Sequence, residues 1–180
     1  MSHKILLFSI VIISLCGCGK STMDTTYTAQ SEKIQKYIDS QLESNPGYRV
    51  VYNNGVARLV IKEGEGDELA SGSTVSFRYA GYVFNNGSIS AASLFATNDR
   101  EIAEKSKWTI TDESLFEPVE IRLGGDDIVE GLKIGLTGVK AGEECYVLFN
   151  GKKGFGKRQS GTIPANAAIA YHLDITDVKK

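Results

Sequence analysis

Leu123-Gly124-Gly125-Asp126-Asp127-Ile128-Val129-Glu130-Gly131-Leu132-Lys133-Ile134-Gly135-Leu136 is a stretch in which the hydrophobic period changes. Up to Leu123, the apolar residues Val119, Ile121 and Leu123 alternate, the pattern of a strand with one buried face. Past the Gly124-Gly125 turn, Ile128, Val129, Leu132 and Leu136 recur at helical spacing. Gly131 and Gly135 each cost such a helix about 1 kcal/mol of intrinsic propensity relative to alanine. A strand followed by one short, intrinsically weak helix is expected here.

Strands lie on both sides of this segment. Downstream, Glu143 to Phe149 reads as a strand, 151–161 as a glycine-rich loop, and Ala168 to Val178 as a last strand with Ile169, Tyr171, Leu173 and Ile175 on one face. His172 then points the other way, as a surface histidine. Upstream, Thr74 to Phe84 is a strand with Val75, Phe77, Tyr79, Gly81 and Val83 on one face. Tyr48 to Tyr52 and Val56 to Ile61 flank Asn53-Asn54-Gly55, a hairpin signal. The order is strands, one helix, then strands, with short connections. That is the pattern of an α+β domain whose antiparallel sheet wraps a helix, not of alternating β and α units.

Within the 97–117 segment, Asn98 is placed to cap a short helix running to about Ser106, with Glu101 as its capping-box partner. Trp108, the single tryptophan, follows. Nearer the N-terminus, Ile34, Tyr37, Ile38 and Leu42 share a helical face that Ser31 can cap and Pro46-Gly47 stops. That face either packs on its own domain or pairs with a second copy, making the chain a monomer or a homodimer through helix 31–44.

Composition excludes several kinds of chemistry. The chain has 180 residues, enough for one domain with extensions. A net charge of −2 gives no footprint for nucleic acid. With three cysteines and two histidines, no multi-histidine or Cys₄ metal site can form, and no cofactor or metal is expected. Gly151 to Lys157 matches the spacing of a phosphate loop. Arg158 stands where a serine or threonine belongs, however, and no helix follows, so the lysines there read as a solvated loop.

The N-terminus carries its own signal. Lys4 precedes an apolar run from Ile5 to Leu15, the length of a signal h-region and too short to span a bilayer. Leu15-Cys16-Gly17-Cys18 resembles the lipobox of bacterial lipoproteins, with Cys18 as the cysteine that receives lipid, including palmitate. The resemblance implies a signal peptide over 1–17, a membrane anchor at Cys18 and a place in the cell envelope. Gly19 after that cysteine leans towards the outer membrane. Residues 18–30 are expected as a flexible tether, 31–47 as the N-terminal helix and 48–180 as the globular domain.

A distributed set of short motifs identifies that domain. Val75-Ser-Phe-Arg-Tyr79-Ala-Gly81 is similar to the V-x-V-x-Y-x-G strand of FKBP-type peptidyl-prolyl isomerases. Leu123 to Leu136 resembles their L-G-x-x-x-V-I-x-G-W-x-x-G-L. Val139-Lys-Ala-Gly142-Glu143 resembles M-x-x-G-E. Ile163-Pro164-Ala-Asn166-Ala-Ala-Ile169-Ala-Tyr171 resembles I-P-x-N-x-x-L-x-F. The ordered set covers about residues 56–178.

The resemblance implies an FKBP-like bent antiparallel sheet around a short helix, with an inserted loop or helix near the pocket. It implies peptidyl-prolyl cis-trans isomerase (rotamase) activity on X-Pro bonds of exported proteins, hence proline-containing polypeptide segments as partners. By correspondence, the pocket walls are Tyr79, Phe95, Val119, Ile128, Leu132, Ile163 and Tyr171. The Val129 backbone N–H is the anchoring donor and Phe155 covers one side. Ala96 stands where the family has an acid, Phe155 where it has a tyrosine and Leu132 where it has a tryptophan. These departures set catalysis against a second reading, a non-catalytic peptide-binding module. Roughly twenty residues, 97–117, replace a short loop, and Trp108 within them either fills the pocket, lines it or packs beneath it.

Overall fold

The computed structural model describes residues 22–180, so the signal-peptide and Cys18 expectations lie outside the described residues. Its elements are α1 (Thr22–Ser44), β1 (Arg49–Asn53), β2 (Val56–Lys62), β3 (Thr74–Val83), β4 (Leu94–Thr97), α2 (Arg100–Lys105), β5 (Val119–Arg122), α3 (Glu130–Leu136), β6 (Glu144–Phe149) and β7 (Ile169–Lys179). All strand pairings are antiparallel. The seven strands form one sheet in the order β1-β2-β6-β7-β3-β4, with β5 also on β3. This is the α+β architecture that the periodicities predict.

Strand β3 meets two partners along one edge. Residues 74–77 pair with β5 and residues 80–82 pair with β4. Between them the ladder has a gap, and a buried asparagine fills it. Asn98 Oδ1 accepts the Tyr79 N–H at 2.6 Å, while Nδ2 donates to the Phe77 carbonyl at 3.3 Å and the Glu117 carbonyl at 2.9 Å. Unpaired backbone groups at this buried edge would be costly. The expectation that Asn98 caps a helix is therefore corrected. The cap of α2 is Asp99, whose side chain accepts the Ile102 N–H at 3.0 Å. Asparagine and aspartate are both good caps, and burial of Asn98 is what assigns the two roles.

The sheet is covered on both faces. On one, Val75, Phe77, Val147, Phe149, Ile169, Leu173 and Ile175 pack with Leu132 and Leu136 of α3. On the other, Ile34 and Ile38 of α1 pack on Ala57, Leu59, Ala80, Leu148, Ala168 and Ala170. The apolar stripe of α1 is thus occupied by its own domain. The helix also begins earlier than expected, because residues 22–30, expected as tether, form its first turns. Their polar character is compatible with a helix because Thr26, Thr28 and Ser31 each bond the carbonyl four residues back.

Helix α3 approaches β6 so closely that side chains are excluded from its inner face. A Cβ on Gly131 would lie 2.3 Å from Phe149 Cγ, and one on Gly135 would lie 2.2 Å from Val147 Cγ1. The far end of α3 is held by Arg58, 6% exposed, on β2. Its guanidinium donates to the carbonyls of Gly135 (3.2 Å), Thr137 (3.0 Å) and Gly138 (3.3 Å). A cation suits the negative end of a helix, and Glu143 lies 3.3 Å from Arg58 Nε as counter-charge. Burial pushes the Glu143 carboxyl up, and Arg58 opposes that shift.

Helix propensity alone predicts that Gly135→Ala stabilises the protein by about 1 kcal/mol. The contact with Val147 reverses the sign. Chemical denaturation is expected to show a net loss of about 1–3 kcal/mol from overpacking, and a gain would overturn the close-approach account.

Candidate functional site

The face of the sheet beside α3 is not fully closed. A cavity of about 400 Å³ opens there, lined by Phe77, Tyr79, Phe95, Ala96, Val119, Ile121, Ile128, Val129, Leu132, Phe155, Ile163 and Tyr171. All nine pocket residues named from the sequence lie around this one space. Each comes from a different constraint. Tyr79 and Tyr171 are paired-strand neighbours on β3 and β7, with rings 6.2 Å apart. Val119 opens β5. Ile128 and Val129 form the entry to α3, and Leu132 lies on its first turn. Phe155 and Ile163 belong to the loop between β6 and β7, which Ser160 and Ile163 pin with reciprocal backbone bonds at 3.0 and 2.9 Å.

The aromatic residues form a continuous wall. Phe95 makes edge-to-face contacts with Phe155 at 5.9 Å and with Tyr171 at 5.8 Å, and Tyr171 also meets Phe149 at 6.2 Å. Such pairs add about 0.5–1.5 kcal/mol beyond area burial. The wall depends on Gly81, where a Cβ would lie 2.5 Å from Phe95 Cζ and 2.9 Å from Tyr171 Cε1. The sequence shows Gly81 on the apolar face of a strand without showing why a glycine is there; the close approach of two rings supplies the reason. Phe77, Ala96 and Ile121 are lining residues that sequence reasoning did not select, since alternation makes Phe77 and Ile121 look like ordinary core.

Phe95 and Ala96 reach the cavity through β4, which pairs Ala96 with Gly81. No residue between 98 and 117 lines the cavity. Trp108 is 40% exposed and stands away from the lining, so it neither fills nor lines the pocket.

The electrostatics are simple. Among the lining residues only Tyr79 and Tyr171 are ionisable, and burial raises both phenols above their ordinary value. Neither hydroxyl bonds a described residue, and Ala96 offers Tyr79 no acceptor. The Val129 N–H, at the N-cap of α3, is likewise without an acceptor among the described residues. The site therefore offers an apolar cavity with three unpaired donors: two phenols and one amide. It can hold an uncharged apolar group and bond a carbonyl oxygen. It holds no nucleophile–base pair, and no group of three or more metal-binding side chains exists among the described residues. His172 bonds Glu144 at 2.9 Å on the sheet's other face, and Cys145 is buried with its thiol pushed well up by burial.

Comparison with known proteins places this geometry. Residues 66–176 match the family described as FKBP-type peptidyl-prolyl cis-trans isomerase. FK506-binding protein 1 of Dictyostelium discoideum is 26% identical over 128 residues, 69% of this chain and 99% of that protein. FK506-binding protein 5 of the same organism is 27% identical over 112 residues, 62% of this chain and only 6% of that much longer protein. Among solved structures, FkpA from Escherichia coli is similar with a TM-score of 0.57 at 20% identity, over 87% of this chain and 62% of that one.

A phenol whose folded pKa is raised favours the fold while neutral; that contribution is fully present below the ordinary phenol value and is lost as pH rises from there through the folded value. Both tyrosines therefore remain protonated below the ordinary phenol value of about 10. Binding of an uncharged apolar dye, followed by fluorescence, is expected to be flat between about pH 6 and 9. A sigmoidal change inside that window would contradict an uncharged lining.

Proposed function

This chain belongs to the FKBP-type peptidyl-prolyl cis-trans isomerase family, and on that premise we propose that its apolar cavity binds proline within extended polypeptide segments and accelerates rotation about the X-Pro bond. The observation that carries the proposal is the cavity itself, an aromatic and aliphatic enclosure whose lining side chains carry no charge and no polar group other than the phenols of Tyr79 and Tyr171. Rotation about a peptide bond meets a barrier of about 18–20 kcal/mol because amide resonance is lost at the twisted geometry. No covalent step is needed. The twisted amide has less charge separation than the planar one, so transfer into an apolar site favours it over the ground state. The Val129 N–H can hold the carbonyl of the rotating unit while the proline ring sits against Tyr79, Phe95 and Leu132.

The hydroxyl pattern supports activity despite the departures. Phe155 stands at the family's tyrosine position and Ala96 at its acid. Yet Tyr171 stands where the family pattern has phenylalanine and brings a hydroxyl of its own to the lining. Losing the acid also leaves the Tyr79 hydroxyl free to donate. Each such bond contributes on the order of 1 kcal/mol. We further propose that Cys18 is lipidated and that the protein acts in the cell envelope on exported chains, where slow X-Pro isomerisation limits folding. The sequence Leu15-Cys16-Gly17-Cys18 supports this.

The detergent-solubilised full chain is expected to speed isomerisation of X-Pro peptides in a spectroscopic assay. Ile128→Ala should lower kcat/KM by roughly tenfold, equivalent to about 1.4 kcal/mol. A folded protein that accelerates no peptide but still binds one would establish the binding-module reading instead. Separately, Cys18→Ala should move the protein from the membrane to the soluble fraction and abolish labelling with a palmitate analogue; unchanged labelling would refute lipidation.

A further inference from the structure

Helix α1 lies outside the family-matched residues 66–176, yet its first turns reach the loop that carries Phe155 and Ile163. The side-chain amide of Gln30 makes two bonds there. Its Oε1 accepts the Gly151 N–H at 2.8 Å, and its Nε2 donates to the Asn166 carbonyl at 2.8 Å. Gly151 opens this loop and Asn166 closes it. The two backbones are nearly in contact, since a Cβ on Gly151 would lie 2.0 Å from the Asn166 carbonyl oxygen. Gln30 thus acts like an extra peptide unit, pairing a donor from one end of the loop with an acceptor from the other. One turn earlier, the Tyr27 hydroxyl donates to Asn166 Oδ1 at 2.8 Å. Asn150 Nδ2, just before the loop, donates to Ser31 Oγ at 2.9 Å.

From Asn166 the connection runs into the pocket. Asn166 has a left-handed φ of 56°, and its N–H donates to the Gly156 carbonyl at 2.8 Å. Gly156 follows Phe155, whose ring packs edge-on against Phe95 at 5.9 Å. Phe155 is 36% exposed. Ile163 lines the pocket from the other arm of the same loop.

We propose that α1 is part of the substrate-site machinery, with Gln30 and Tyr27 as positioning residues that close the loop over 151–166 and so set Phe155 and Ile163 against the cavity. This rests on the cavity being the proline site, as argued above. It predicts an effect on substrate binding from residues that line no part of the pocket.

The test uses the full chain with Gln30→Ala, Tyr27→Phe, which removes a single oxygen, and Gln35→Ala as control. Gln35 is on the same helix but bonds Asp39 and Tyr52. Amide hydrogen exchange and X-Pro peptide kinetics are measured on each. Gln30→Ala is expected to raise exchange across 152–163 by about tenfold while the β-strand amides stay as in the parent. KM should rise by about three- to tenfold with kcat within about twofold. Tyr27→Phe should shift both readouts in the same direction by a smaller factor, and Gln35→Ala should shift neither. Unchanged exchange over 152–163 in Gln30→Ala and Tyr27→Phe would overturn the proposal. So would exchange that rises equally in strands and loop, since α1 would then only stabilise the domain. If the parent chain neither turns over nor binds peptide, the proline-site reading fails, and local exchange still decides whether α1 sets the loop.

Discussion

Helix α3 lies against β6 with no side chain of its own at Gly131 and Gly135 to separate them, so the rings and methyls of Phe149 and Val147 meet its backbone directly. The cavity's form follows from this contact. The entry to the helix presents Ile128, Val129 and Leu132 to the cavity. A helix seated farther out would widen the space and take the Val129 N–H with it. Two glycines in seven residues make a poor helix in isolation. Its stability comes from burial on β6 and from Arg58, which gathers the carbonyls of Gly135, Thr137 and Gly138. Burying that cation is tolerable because three carbonyls and Glu143 surround it.

The periodicities in the sequence locate α3 and every strand except β4 because each of those elements turns an apolar face into the packed interior. The motif correspondence brought nine residues to one cavity for a related reason. Several cavity walls are apolar positions on those faces, and the rest lie in the short segments that the motifs mark between them. Legibility ended where a residue's role depends on a partner distant in sequence. Arg58 looks like a surface residue in a strand until the carbonyls of residues 135–138 are in place. Asn98 looks like a cap until the gap on β3 between residues 77 and 80 is seen. Thr22 to Gln30 look like tether because their composition is polar; the loop they bond at Gly151 and Asn166, and the i−4 hydroxyl bonds that satisfy them, are invisible in local pattern.

Strand β3 brings these levels together. Val75 and Phe77 follow simple alternation, but from Ala80 onward both faces are buried, because α1 covers the second one with Ile34 and Ile38. Small residues on that face, Ala57, Ala80, Ala168 and Ala170, let the helix lie close to the sheet. Gly81, facing the opposite way, lets Phe95 and Tyr171 do the same at the pocket wall. One strand thus carries the floor of a helix-docking surface and the wall of a cavity on adjacent residues.

The two helices therefore act on the cavity from opposite faces of one sheet. Helix α3 sets one wall directly, through packing that admits no Cβ. Helix α1 reaches the other wall through side-chain hydrogen bonds to the ends of a loop. These two kinds of control differ in stiffness. Packing against a strand interior resists displacement because the interior is close-packed. A loop closed by a few part-exposed hydrogen bonds opens at much lower free energy. A binding site built this way has a fixed side, formed by Tyr79, Ile128 and Leu132, and a yielding side, formed by Phe155.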